Sequence, residues 1–127
     1  MILLLIKCWL VAIAATCNSV MDTSVEHYKG SILERYNPLF WNYAISWKNK
    51  YTNHKESEGI SPFYKLPFMQ SFSDAWHLSK SVMIIALCAA ISLTTVIPLS
   101  FFLIQMALYG IIWNVVFNLF YNHLLRK

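Results

Sequence analysis

Residues 81–121 read SVMIIALCAAISLTTVIPLSFFLIQMALYGIIWNVVFNLFY and hold no charged side chain in 41 positions. One helix of that length would extend for about 60 Å, twice the thickness of the hydrocarbon core of a bilayer. Pro98 lies near the middle of this stretch, and proline removes a backbone donor and disfavours helix at the preceding residue. The stretch therefore predicts a hairpin of helices near 75–97 and 99–124, with a single kinked helix as the alternative.

The first arm of this hairpin is short for a membrane span. About 17 apolar residues follow Lys80 before the turn, which is close to the lower limit for crossing hydrocarbon. We nevertheless expect this arm to be embedded in the membrane as one of three apolar helices.

The amino-terminal run from Met1 to Met21 is interrupted only by Lys7 and Asn18. A cleaved signal peptide is the alternative, but signal peptides begin with basic residues, whereas Lys7 here lies inside the apolar run. We therefore expect a retained helix near 2–22. Together with the hairpin, it predicts an all-α membrane protein with three membrane-embedded helices in a single domain, 1–127.

The composition supports lipid as the main solvent of this chain. Hydrophobic residues make up 57% of the 127 positions and charged residues 13%, against about 25% charged in a typical soluble domain. A small soluble protein needs polar side chains to cover its large relative surface. The chain also lacks a glycine-rich phosphate loop and a dense basic cluster, so we expect no nucleic-acid partner.

The connecting region, residues 22–80, holds seven basic and six acidic residues, and eleven of the twenty aromatic residues of the chain lie between Tyr36 and Trp76. Tryptophan and tyrosine favour the headgroup layer, where an apolar ring and a polar edge are both accommodated. The run WKNKY at 47–51 alternates aromatic residues with lysine, which suits an anionic lipid surface. We predict a cytoplasmic, interfacial region with short helices, or a small packed aromatic cluster.

The distribution of charge predicts an orientation. Lys80 flanks one end of the hairpin, Arg126 and Lys127 flank the other, and the turn carries no charge. Because cytoplasmic loops collect lysine and arginine, both hairpin ends and the connecting region should lie in the cytoplasm. The prediction is a cell-membrane protein with its amino terminus outside and its carboxyl terminus inside, in contact with membrane lipids.

Each predicted helix carries a stripe of polar residues at helical spacing, and such residues are costly in hydrocarbon unless they are paired. The stripes are Lys7, Asn18, Asp22 and Glu26; Asp74, His77, Ser81, Cys88, Ser92 and Thr95; and Gly110, Asn114, Asn118 and Asn122. The ordinary explanation is hydrogen bonding between helices, with Asn18, Asn114 and Asn118 as structural polar residues. A water-filled path and a buried reactive site are the alternatives.

Two Asp–His pairs are the candidates for chemistry. Asp74 and His77 are three residues apart, so both side chains can point to one place, as metal ligands on helices do. Asp22 and His27 end the first helix and should lie at the same membrane face. These four residues are candidate catalytic or metal-binding groups, and the cofactor stays open. The alternative is that Ser73 or Asp74 caps the second helix and that His77 lies near the surface.

Three stretches resemble a group of small uncharacterised bacterial and phage-encoded membrane proteins. They are ATCNSVMD at 15–22, SWKNKY at 46–51 and SDAWHL at 73–78. The resemblance covers most of the chain and implies a prokaryotic inner membrane. It implies no activity and no site, because none is established for that group.

Three functions follow as hypotheses. The leading one is a non-enzymatic membrane component that works as an oligomer or as a subunit of a complex, because three helices bury few residues among themselves. The others are a holin-like or small pore-forming protein, and a membrane enzyme that uses the four Asp and His residues on a lipid-linked substrate. Convergence of those four side chains would favour the enzyme, whereas polar stripes that point outward would favour an oligomer or a pore.

Overall fold

A computed structural model of the chain describes residues 2–66, 69–93 and 98–125. Within these ranges the chain forms helices and helical turns, and its one pairing of extended residues is an isolated antiparallel bridge between Tyr51 and Ile60. The all-α class is therefore confirmed. The predicted end of the first hairpin arm, 94–97, and the basic residues 126–127 lie outside the described residues.

The described ranges contain five α-helices: α1 (Ile2–Glu26), α2 (Pro38–Trp41), α3 (Tyr43–Ser46), α4 (Ala75–Ser92) and α5 (Leu99–Asn118). A π-helical turn, Leu119–Leu124, continues α5. Short 3-10 turns fill the connecting region, at Ile32–Arg35, Trp47–Lys50, Thr52–His54, Glu56–Glu58, Pro62–Lys65 and Met69–Phe72. The prediction of short helices there is confirmed, and α1 continues one turn beyond the predicted end at residue 22.

In the part of the chain that the structure describes, two helices are long and apolar enough to cross a membrane, whereas the sequence predicted three. They are Ile2–Glu26 and Leu99–Leu124, and the apolar part of α4, Ala75–Ile91, is shorter. The physical reason is length: α4 ends at Ser92, and His77, Ser79 and Lys80 interrupt its first turns, so too little apolar length remains for a complete crossing. The three-span prediction is corrected on this point.

α1 is the central helix, and both long helices of the hairpin pack against it. α5 runs parallel to α1, since Leu3 lies beside Phe101 near the start of both helices and Cys17 lies beside Phe120 near their ends. α4 runs in the opposite direction, because Lys7, near the start of α1, borders the same cavity as Ile91, near the end of α4.

The core lies between α1 and α4 and is built from small residues. Ala14, Ala15, Ser19 and Thr23 of α1 are all 0% exposed. Small side chains let two helix backbones approach closely, which strengthens dispersion contacts without large apolar groups. The hydroxyl groups of Thr16, Ser19 and Ser24 donate to carbonyl oxygens of the same helix, with Ser19 Oγ 2.7 Å from Thr16 O.

The connecting region lies at the end of the bundle where α5 also ends. The Ile32 backbone N–H donates to Leu125 O at 2.8 Å, which joins the start of the region to the end of α5. Within the region, the Lys48 ammonium lies 5.6 Å from the centre of the Trp47 ring, and the Lys50 ammonium lies 5.2 Å from the Tyr51 ring. The alternation of lysine with aromatic residues thus produces neighbouring cation–π pairs.

Candidate functional site

Asp74 begins α4 and caps it. Its backbone is extended, and its carboxylate Oδ1 accepts a hydrogen bond from the His77 backbone N–H at 2.9 Å. This is the geometry of an aspartate N-cap, in which a side-chain oxygen bonds one of the unpaired N–H groups of the first turn. The capping role that the sequence offered as an alternative is therefore present in the structure.

The same carboxylate also holds the His77 ring. His77 Nδ1 lies 2.7 Å from Asp74 Oδ2 and 2.9 Å from Oδ1. The Asp74 side chain is 3% exposed, whereas that of His77 is 52% exposed. A buried carboxylate that receives the Nδ1 proton orients the imidazole and leaves Nε2 as the ring nitrogen that can act on a partner. The pair can therefore cap the helix and position a base at once.

Residues of the connecting region fix the segment that precedes α4. Asn49 Nδ2 donates to Ser73 O at 2.6 Å. The Ser73 hydroxyl lies 3.1 Å from Asp74 Oδ2 and 2.7 Å from Gln70 O, so both oxygens compete for its proton. Ser73 and Asp74 are each 2% exposed. This hydrogen bonding explains why the carboxylate stays buried beside an exposed histidine.

A cleft of about 350 Å³ opens next to the pair, between α3 and the start of α4. Tyr43 and Trp47 form its aromatic wall, with Asp74 and His77 opposite. The Trp76 ring lies 5.1 Å from the His77 ring. The run at 47–51, which its sequence pattern predicts at the lipid surface, has a second role that the pattern did not indicate, as a wall and support of the site. The sequence feature that could have indicated this second role is Asn49, a polar residue between two lysines.

The other candidate pair lies in different surroundings. The His27 ring is 5.3 Å from the Tyr121 ring, just beyond the end of α5. Asn18 Nδ2 donates to Asp22 Oδ2 along α1 at 3.4 Å, a long hydrogen bond. Across residues 2–66, 69–93 and 98–125, no three His, Cys, Asp or Glu side chains lie together so that they could bind a metal ion. The four candidates thus form no shared metal centre, and their catalytic role stays a prediction.

The asparagine stripe of α5 points away from the other helices of the protomer. Asn114, Asn118 and Asn122 are exposed. Asn114 Nδ2 donates to Gly110 O at 2.9 Å, Asn118 Nδ2 to Asn114 O at 2.8 Å, and Asn122 Nδ2 to Asn118 Oδ1 at 2.8 Å. Each of these bonds stays within its own helical segment. The side-chain amides of Asn114 and Asn118 therefore do not bond to another helix of the same protomer, which was the ordinary explanation for these residues.

No protein-family model, curated protein or solved structure matches this chain. The resemblance to small bacterial and phage membrane proteins accordingly stays a prediction.

Proposed function

We propose that this chain is an integral membrane protein that functions as an assembly of identical copies, joined through the asparagine stripe of α5. In this proposal α1 and α5 span the bilayer and α4 is embedded beside α1. The bundle end that carries the connecting region faces the cytoplasm of a prokaryotic cell.

The outward asparagine stripe is the observation that carries the proposal. An exposed amide in hydrocarbon leaves donors and acceptors unpaired, which costs free energy. Asn118, for example, donates along its own helix but keeps a second N–H for an external acceptor. A second copy offers the same donors and acceptors in return, so the stripe is self-complementary across a two-fold contact.

The assembly is tested by disulfide cross-linking of a variant without its native cysteines (Cys8, Cys17 and Cys88 replaced by alanine). We expect Asn118→Cys to form disulfide-linked dimers in the membrane under oxidation. Leu119→Cys is the matched control, because Leu119 is 45% exposed but lies about 100° around the helix. Equal cross-linking of both variants, or none in either, would contradict the proposed contact.

Membrane topology is tested separately. A reporter fused after Lys127 should be active in the cytoplasm, and a cysteine at Ser100 should react with an impermeant reagent added outside intact cells. The reason is that basic residues flank the hairpin while its turn is uncharged. Labelling at Ser100 only after lysis would reject the outward turn.

A second candidate function, acid–base chemistry at the membrane surface, is favoured by the Asp74–His77 pair beside its cleft. A carboxylate-oriented imidazole is a suitable general base. The protein would be reconstituted with bacterial polar lipids, and the lipids followed by mass spectrometry. A product formed by the wild type and lost in His77→Ala would support this function, whereas identical lipid profiles would contradict it.

A further inference from the structure

Lys7 is a charged residue in the core of an apolar bundle. It lies in the second turn of α1 and is 4% exposed. The ion pairs formed by the described residues do not include Lys7, and its ammonium donates no hydrogen bond to any of them. The Lys7 side chain borders two cavities with mainly apolar walls, and an ammonium beside such walls without a counter-charge is costly. An external anion would offset that cost.

Two cavities meet at this lysine. One, of about 400 Å³, lies between α1, α4 and α5 and is lined on its deeper side by apolar residues that include Val11, Leu87, Met106 and Trp113. The other, of about 270 Å³, lies nearer the start of α1, beside Leu3 and Phe101. Lys7 and Gln105 line both cavities. The two therefore form a groove with apolar walls and a polar point where they join.

The polar groups at that point are arranged as donors. The Tyr109 hydroxyl donates to Gln105 Oε1 at 3.2 Å, so one acceptor position of the Gln105 amide is already used. The amide Nε2 of Gln105 is left to donate, on a side chain that lines the same two cavities as Lys7. Donors from a lysine and a primary amide, with no carboxylate paired to the lysine within the described ranges, select for an anion rather than a cation.

We propose that this groove binds an anionic phospholipid, with its phosphate held by Lys7 and Gln105 and one acyl chain lying in the larger cavity. The apolar walls match an acyl chain, and the larger cavity falls within the range of about 300–1,000 Å³ typical of small-molecule sites. Lys7 lies about 8 Å along α1 from Ile2, a depth at which a phosphate near the membrane surface is within reach of a lysine side chain.

The headgroup should carry a net negative charge. A zwitterionic choline lipid also offers a phosphate, but it places a quaternary ammonium near Lys7, and the two cations repel. The apolar groove screens these charges less than water does, so the preference for an anionic headgroup over a choline headgroup is enhanced. The proposal rests on the membrane embedding proposed above, since only an embedded bundle meets lipid along α4 and α5.

The test is retention of lipid by the purified full chain. The protein is reconstituted in vesicles of equal phosphatidylglycerol and phosphatidylcholine, extracted in mild detergent, and examined by native mass spectrometry. We expect wild-type protein to retain phosphatidylglycerol in preference to phosphatidylcholine. Lys7→Gln should weaken this retention by at least about tenfold, which corresponds to about 1.4 kcal/mol, and Lys7→Arg should preserve it. The matched control is Lys29→Gln, the same loss of charge at an exposed lysine.

A second variant keeps the charge of Lys7 and reduces the volume of the larger cavity. Ala90 lines the larger cavity, so Ala90→Phe should fill part of the acyl site and reduce retention while Lys7 is intact. Inorganic phosphate and oleate, added separately in excess, distinguish the sources of the anion. Neither should displace the phospholipid, because phosphate lacks the chain and oleate lacks the phosphate group.

Several outcomes would overturn the proposal: equal retention by wild type and Lys7→Gln, equal retention of the two lipids by wild type, or displacement by phosphate alone. Alkaline extraction of membranes separates this failure from failure of the proposed function. Protein released at alkaline pH would refute the membrane embedding itself. Protein that stays in the membrane and cross-links at Asn118→Cys but retains no phosphatidylglycerol would refute the lipid site alone.

Discussion

The two sides of α1 differ in how completely they are packed. On the side of α4, Ala14, Ala15 and Ser19 have no exposed surface. On the other side, α5 contributes no buried residue along its length. The first interface leaves no exposed surface on these small residues, whereas the second leaves several cavities and no buried residue on α5. One face of α1 therefore determines the fold, and the other leaves room for lipid or another chain.

Side-chain size explains this difference. Small residues on α1 allow the backbone of α4 to come close. α5 and the turn that continues it instead face α1 with large apolar residues, among them Ile112, Val116 and Phe120, which line cavities together with residues of α1. Large side chains hold helix axes apart, so gaps remain unless a third body fills them.

The largest effect is expected from overpacking the α1–α4 interface. Ala15→Leu adds three carbon atoms where none of the residue is exposed and should lower the free energy of unfolding by about 1–3 kcal/mol. The measurement is a detergent-unfolding curve followed by circular dichroism. Val82→Leu on α4, at a position 37% exposed, is the control and should leave the curve unchanged. An unchanged unfolding curve for Ala15→Leu would mean that α1 and α4 separate easily. It would contradict the tighter packing of α1 against α4 than against α5.

A smaller effect is expected at the cap that anchors the start of α4. Asp74→Ala removes the acceptor for the His77 backbone N–H and should cost about 0.5–2 kcal/mol of unfolding free energy. Asp74→Asn keeps an acceptor oxygen, so it should lose less. The same unfolding assay compares them. If both variants lost equal stability, the charge of the carboxylate rather than its capping bond would be responsible.

Substitutions on the exposed face of α5 should change the association of copies rather than the free energy of unfolding. Asn118→Leu removes amide groups from the proposed contact and should weaken association by about 0.6–1.7 kcal/mol, the range of polar contacts between membrane helices. Energy transfer between labelled copies in detergent micelles measures the association. Asn118→Gln, which keeps the amide, is the control. Unchanged association in Asn118→Leu would indicate that this face meets lipid or water.

The smallest effect is expected at Thr23. Its Oγ1 is buried and lacks a hydrogen-bond partner among the described residues. Thr23→Val keeps the branched shape and removes an unsatisfied hydroxyl, so the free energy of unfolding should stay within about 0.5 kcal/mol or rise. A clear loss of stability would show that the hydroxyl is bonded and that the α1–α4 interface depends on a polar contact.

The positions of the helices along the chain were more predictable from the sequence than the contacts that each helix makes. The apolar runs fixed α1, the start of α4 at Ala75 and the start of α5 after Pro98, because proline and hydrophobic length act locally. The number of helices long enough to span was overestimated, since the apolar length of α4 was close to the limit. Helical spacing placed Lys7 and Asn18 on one face, yet Lys7 is buried and Asn18 only half-buried. Spacing alone does not specify how a helix is rotated against its neighbours.

The candidate site was predictable only within one turn of helix. The spacing of Asp74 and His77 correctly implied that their side chains could meet, because residues three apart share a helix face. The contribution of Asn49, 24 residues upstream, depends on how the connecting region folds back. His27 contacts Tyr121 near the other end of the chain, a pairing that no local pattern encodes.

The exposed loop between Tyr51 and Ile60 provides an insertion site for a fusion domain in this small protein. Its base is closed by the bridge between these two residues, with Thr52 N–H donating to Gly59 O at 3.0 Å. Asn53 and His54 both adopt left-handed backbone angles at its tip. Because the two ends of the loop are held together, a soluble domain with adjacent termini could be inserted at Ser57 without separating them. Such a fusion would add mass and a recognisable shape for imaging particles that are otherwise too small to align.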